Sequence, residues 1–164
     1  RLIGEHLAQT GRRRIAFLGD IALPEVRLRY DGFIAALTAA GIDHPQELVL
    51  TTSFVAEDAQ AVLREAIASG VTFDAIAAAS DVLAMSAMTV LQAEGMRVPD
   101  DVAVTGYDNI GQSKLATPPL TTIDQSIALG GEMLVDLLLR KIAGEAVSSQ
   151  MTPTSLIIRQ STGG

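Results

Sequence analysis

A chain of 164 residues with 48% apolar and 19% charged side chains can bury a core of its own, which argues against intrinsic disorder. Its formal net charge of −7 disfavours binding to phosphate backbones, so the chain is a poor nucleic-acid binder by itself. Cysteine is absent, which removes disulfides and thiol chemistry, and no apolar run reaches the roughly 18 residues of a membrane span.

Leu2, Ile3 and Leu7 at helical spacing predict a first helix closed by Gly11. The run Arg12-Arg13-Arg14 then reads as a solvated cap favoured by the helix dipole. Residues 15–18 form an unbroken apolar run of strand length, ended by Gly19-Asp20. After a loop at Pro24, the residues Leu28, Phe33, Ile34, Leu37 and Ala40 mark a second helix before Gly41. Residues 48–50 are the next strand, and Ala59, Val62, Leu63, Ala66 and Ile67 form a helical face stopped by Gly70. Residues 74–79 give a third strand. Ser80-Asp81 opens a helix that carries Leu83, Met85, Ala87, Met88 and Leu91 and ends at Gly95. The stretch 98–109 holds a turn (Pro99, Asp100, Asp101), a buried strand at 102–104, and Gly106 followed by Tyr107, Asp108 and Asn109. Residues 116–123 are extended around Pro118-Pro119, an apolar helix spans 126–143, and residues 155–159 form the last strand.

Apolar strands alternating with helices of 10 to 15 residues predict an α/β fold, a doubly wound parallel sheet flanked by helices. In such sheets ligands sit at the carboxyl edge of the strands. That edge would carry Asp20, then Ser53 and Phe54, then Ser80 and Asp81, then Tyr107, Asp108 and Asn109, with Arg29 from the following helix nearby. Carboxylate, guanidinium and a flat ring suit a carbohydrate or nucleoside. Each residue also has a plainer reading. Asp81 could cap its helix, Arg29 could pair with Asp31 or Glu25, Phe54 and Tyr107 could pack in the core, and Asp108 could form a turn.

Other chemistries find little support. Neither G-x-G-x-x-G nor G-x-x-x-x-G-K occurs, His6 and His44 lack metal-ligand spacing, and no Ser, His and Asp set can be assembled. No metal, cofactor or catalytic residue is therefore expected, and an enzyme using Asp81 or Asp108 as a base is the weaker alternative.

Five blocks in order resemble the LacI/GalR family of bacterial transcription repressors: 14–19, 27–33, 78–81, 98–109 and 118–123. The resemblance implies the second lobe of an effector-sensing core, of the type I periplasmic-binding-protein-like fold. Residues 1–123 and 153–164 would form that lobe, and 124–152 would cross to a first lobe that this chain lacks. It implies a sugar or nucleobase held between two lobes, DNA bound only through an N-terminal helix-turn-helix absent here, no membrane association and a cytoplasmic protein. Position by position, Arg29 and Asp108 match effector-gripping residues and Phe54 a stacking aromatic. Ser80-Asp81 stands where Asn-Asp is common, Gln125 matches a hinge-side polar group, and Ile127 a group that closes the pocket. Asp20 and Tyr107 would line the same space. The family's homodimer contacts would fall on Met85, Met88, Leu115, Ala116 and Thr117, although packing within the chain explains Met88 equally well. A periplasmic sugar-binding protein of the same architecture is the alternative, and it would need an export signal upstream. Since the chain opens on Arg1, already inside a helix, it is expected to be part of a longer protein, with the apolar face of helix 126–143 covered by another lobe or chain.

Overall fold

A computed structural model describes residues 1–164. Four strands form one parallel sheet: β1 (Ile15–Leu18), β2 (Val49–Leu50), β3 (Ala75–Ala78) and β4 (Ala103–Thr105), in the order β2-β1-β3-β4. Register is set by pairs such as Phe17 with Ala77 and Ile76 with Val104. Helices α1 (Leu2–Gln9) and α2 (Pro24–Ala39) pack together, as do α3 (Ala56–Ala68) and α4 (Asp81–Ala93). Buried on both faces, the strands need apolar side chains throughout, and β1, β3 and β4 are buried at every position.

Chain direction across the sheet reverses between β1 and β3, because β2 lies outside β1 while β4 lies outside β3. The loops leaving β1 and β3 therefore diverge and leave a crevice at their carboxyl ends. Gly19 makes the approach of these two ends possible: a Cβ there would lie 2.6 Å from the Ala79 Cβ.

Two elements start or act differently from the sequence expectation. Helix α2 begins at Pro24 itself, since a proline at the first helical position loses no hydrogen bond. Of the arginine run, only Arg13 caps the preceding helix, donating to the Ala8 carbonyl at 3.1 Å. Arg12 donates instead to the carbonyls of Asp74 and Pro99, and Arg14 to that of Thr72. These contacts tie together the segments that enter β1, β3 and β4.

Beyond β4 the chain runs through a short 3₁₀ turn at Gly111–Lys114 into β5 (Thr122–Asp124), helix α5 (Ile127–Ile142) and β6 (Ser155–Ile157). The last strand does not join the parallel sheet as a member; it pairs antiparallel with β5. The approach to β5 runs parallel to β4 through a Thr105–Thr121 bridge, with Gly106 N–H donating to the Thr121 carbonyl at 2.8 Å. Ser161, fully buried, donates to the Val104 carbonyl and accepts from Thr121 N–H, fixing the C-terminal end against β4.

Helix α5 has no buried residue, and Ile127, Leu134, Val135, Leu138, Leu139 and Ile142 are all exposed on it. It is not long and apolar enough to cross a membrane, nor is any other helix.

Ile76 lies fully buried in a central strand between β1 and β4. Ile76→Ala should lower stability by about 2–5 kcal/mol through lost burial and a residual cavity. Urea denaturation checks this.

Candidate functional site

Side chains from four strand ends reach the carboxyl edge of the sheet: Asp20 after β1, Phe54 after β2, Ser80 after β3 and Asp108 after β4. They do not all play the same part. Asp20 closes its own turn by accepting from Ala22 N–H at 2.9 Å. Phe54 is 41% exposed, so it does not pack in the core.

Arg29 reaches from α2 across the crevice. Its Nη1 donates to the Ala79 carbonyl at 2.6 Å, and its guanidinium lies 4.0 Å from the centroid of the Tyr107 ring. No ion pair with Asp31 or Glu25 forms, because Arg27 takes Asp31 at 2.8 Å. Tyr107 thus serves both as packing and as a platform under a cation.

Asp108 and Asn109 adopt positive φ, 112° and 51°, although neither is glycine. Such backbone costs about 1–3 kcal/mol per residue and persists only where neighbours hold it. Asp108 N–H donates to the Ile123 carbonyl at 3.0 Å, and its Oδ1 accepts from the Gln125 amide. Burial pushes the Asp108 carboxyl above the usual carboxylate range; the Arg29 charge opposes this and the Asp81 charge adds to it. Arg29, Tyr107, Asp108 and Gln125 form one polar cluster beside the switch point. A cavity of about 360 Å³ next to it is lined in part by Arg29, Phe33, Ala78, Tyr107 and Ile123. A larger one, about 600 Å³, lies away from the strand ends between Arg27, Tyr30 and His44.

Asp81 behaves differently from the sequence expectation. Its side chain is fully buried, with Thr122 Oγ1 donating to Oδ1 and Ile110 N–H donating to Oδ2 at 2.9 Å. It faces protein groups rather than open space. Burial raises its carboxyl above the usual range, opposed by the bonds from Thr122 and Ile110, the Arg159 charge and Ser113. Ser80, not Asp81, caps α4, accepting from Leu83 N–H at 3.3 Å. Ser80 is itself buried.

Gln125 and Ile127 stand where the chain turns into α5, Ile127 being 66% exposed. On the opposite flank, Leu115 is 83% exposed, and Met85, Ala116 and Thr117 are at least partly accessible. Met88, for which packing within the chain was the other reading, is 6% exposed and packs into the core, flooring a groove lined by Gln92, Met96, Val98, Thr117 and Pro118. Val82, 41% exposed one turn before Ser86 on the same helix, is an apolar surface residue that the sequence reading passed over. Thr122, Ser113 and Arg159 were also passed over: Thr122 meets Asp81 from 41 residues away and Arg159 meets Ser113 from 46, which leaves no local pattern.

The description "Periplasmic binding protein-like domain" matches residues 5–162. The chain belongs to that family. It is 34% identical over 163 residues to the HTH-type transcriptional repressor PurR of Mannheimia succiniciproducens, covering 98% of this chain and 49% of that protein. Among solved structures, a transcriptional regulator CelR–cellobiose complex superimposes with a TM-score of 0.89 at 35% identity, over 96% of this chain and 49% of that one. The lac repressor dimer bound to operator and the anti-inducer ONPF gives 0.86 at 33% identity, over 96% and 48%. The relatives are LacI-family regulators, and the match falls on their effector-binding region. This periplasmic-binding-protein-like chain spans about half the length of the relatives it matches.

Gly106 lies where the domain is tightest: a Cβ would fall onto Asp81 Oδ1 and the Leu120 side chain. Gly106→Ala should destabilise by about 1–3 kcal/mol, read from the guanidinium unfolding midpoint. An unchanged midpoint would mean that the contact relaxes freely.

Proposed function

We propose that this chain is the C-terminal lobe of the effector-sensing core of a LacI/GalR-type repressor. The convergence of Arg29, Tyr107, Asp108 and Gln125 at the switch point carries this reading. The effector is a small sugar-like or nucleobase-like molecule. Arg29 donates to its oxygens, the Asp108 carboxylate accepts from its hydroxyl or amino hydrogens, and Phe54 covers an apolar face. Ser80 and Asp81 sit behind this surface, and Asp20 and Ile127 border it.

Residues 124–152 are the crossover to a first lobe, and α5 belongs on that lobe's surface. The support is physical: an amphipathic helix without one buried side chain needs a partner for its apolar stripe. Two copies pair through the flank that carries Met85, Leu115, Ala116 and Thr117, and DNA is read by an N-terminal helix-turn-helix outside this chain. Effector held between the lobes favours one inter-lobe angle and so biases the spacing of the DNA-reading heads. It can do so only by binding the two arrangements unequally. Such a regulator acts in the cytoplasm and needs no metal or cofactor.

Calorimetric titration of the complete protein against sugars and nucleobases, beginning with cellobiose and ribose, tests the reading. At least one compound should bind, and Asp108→Asn should weaken it 10-fold or more while leaving the unfolding midpoint nearly unchanged. No binding across the panel, or unchanged affinity in that variant, removes the proposal.

The pH dependence has a defined sign. Only the ionised Asp108 accepts a hydroxyl hydrogen with both oxygens, and burial places its value above the ordinary 3.8. Affinity should be full well above the raised value and fall as pH drops through it. Asp108→Asn should flatten that profile in the same titrations.

A further inference from the structure

We propose that Arg159 is a positioning residue for the Asp108 carboxylate, acting through Asn109, with Asp81 as the second anchor of the same clamp. This rests on the reading of Asp108 as an effector contact.

The unusual backbone of Asp108 and Asn109 is held from three directions. Arg159, just beyond β6, donates from Nη2 to Asn109 Oδ1 at 2.7 Å, and from Nη1 to the Leu120 carbonyl at 2.6 Å and Ser113 Oγ at 3.1 Å. Thr122 of β5 accepts from Asn109 N–H at 3.3 Å and donates its hydroxyl to Asp81. Asp81 accepts from Ile110 N–H, the next residue along. Ser113, between Arg159 and Asp81, returns its hydroxyl to the Ile110 carbonyl at 2.7 Å.

Three acceptors at fixed angles around one planar group are what a guanidinium satisfies; an ammonium is a point charge on a flexible stem. Arg159 forms no direct ion pair, but its positive charge acts on the nearby buried Asp81 carboxylate. The backbone of Arg159 is fixed as well, its N–H donating to Thr121 Oγ1 at 2.8 Å.

The origin of these contacts gives them a consequence. Thr122 lies on the strand that leads out to α5, and Arg159 follows the strand that returns from it. A displacement of the β5–β6 pair moves Thr122 and Arg159, and through Asn109 it moves the Asp108 carboxylate. The clamp therefore couples the effector-facing carboxylate to the two strands that α5 connects. Coupling of this kind is reciprocal: whatever orders Asp108 also favours one setting of that strand pair.

Hydrogen–deuterium exchange on the complete protein, without added compound, tests the clamp. Arg159→Met and Asn109→Gly should each accelerate exchange at Asp108, Ile110 and Ser113 by 10-fold or more, while β1 and β3 amides keep their rates. Glycine tolerates the left-handed backbone, so Asn109→Gly removes the acceptor without adding strain, though it also frees the local chain somewhat. Arg159→Lys should recover part of the protection. The double variant Arg159→Met/Asn109→Gly should resemble Arg159→Met alone, because that change already removes the bond to Asn109. Unchanged loop exchange, equal acceleration throughout the core, or additive effects would overturn the proposal. Cellobiose titration of the same variants is a separate readout: if the parent binds it, affinity should fall about 10-fold in the same rank order. Failure of Asp108→Asn to affect binding defeats the effector reading, while loop exchange still decides whether the clamp exists.

Discussion

A buried carboxylate must be hydrogen-bonded on both oxygens or it becomes a large penalty, and Asp81 imposes that demand on the whole carboxyl edge of the sheet. Its donors come from β5 and from the loop after β4, with the first turn of α4 supplying the carboxylate itself. Gly106 must lack a side chain because the Asp81 carboxylate occupies the space beside it. The loop 106–113 thus has its path set by one charge, and Asp108 is presented to the crevice as a result.

That arrangement divides the acidic residues of the edge by role. Asp81 is enclosed and structural, whereas Asp108 is half-buried, bonded only on one oxygen by Gln125 and within the field of Arg29. The polar cluster thus stands next to a largely apolar cavity, where charged groups and the flat Tyr107 ring meet.

Much of the fold was legible in sequence. The unbroken apolar runs at residues 15–18 and 74–79 and the buried triplet near Val104 mark strands covered on both faces, and periodicity places all five α-helices. Proline misled at Pro24, where it opens a helix instead of extending a loop. At the site, Arg29 and Asp108 were visible as charged residues beside apolar elements. Asp81 was equally visible, yet its burial was not, because its donors stand 29 and 41 residues further along the chain. Arg159 gave no signal at all; it reads as an ordinary arginine ending a strand.

By itself, the sequence determined the alternation of strands and helices, the parallel sheet it requires, and the chemical types available at the strand ends. These follow from short-range periodicity and from the burial of parallel strands on both faces. Only the tertiary structure decided which acidic group is enclosed and which is open, where Met88 points, and how Arg159 reaches Asn109. Those outcomes depend on hydrogen bonds and packing between segments far apart in the chain, and no local pattern of residues encodes them.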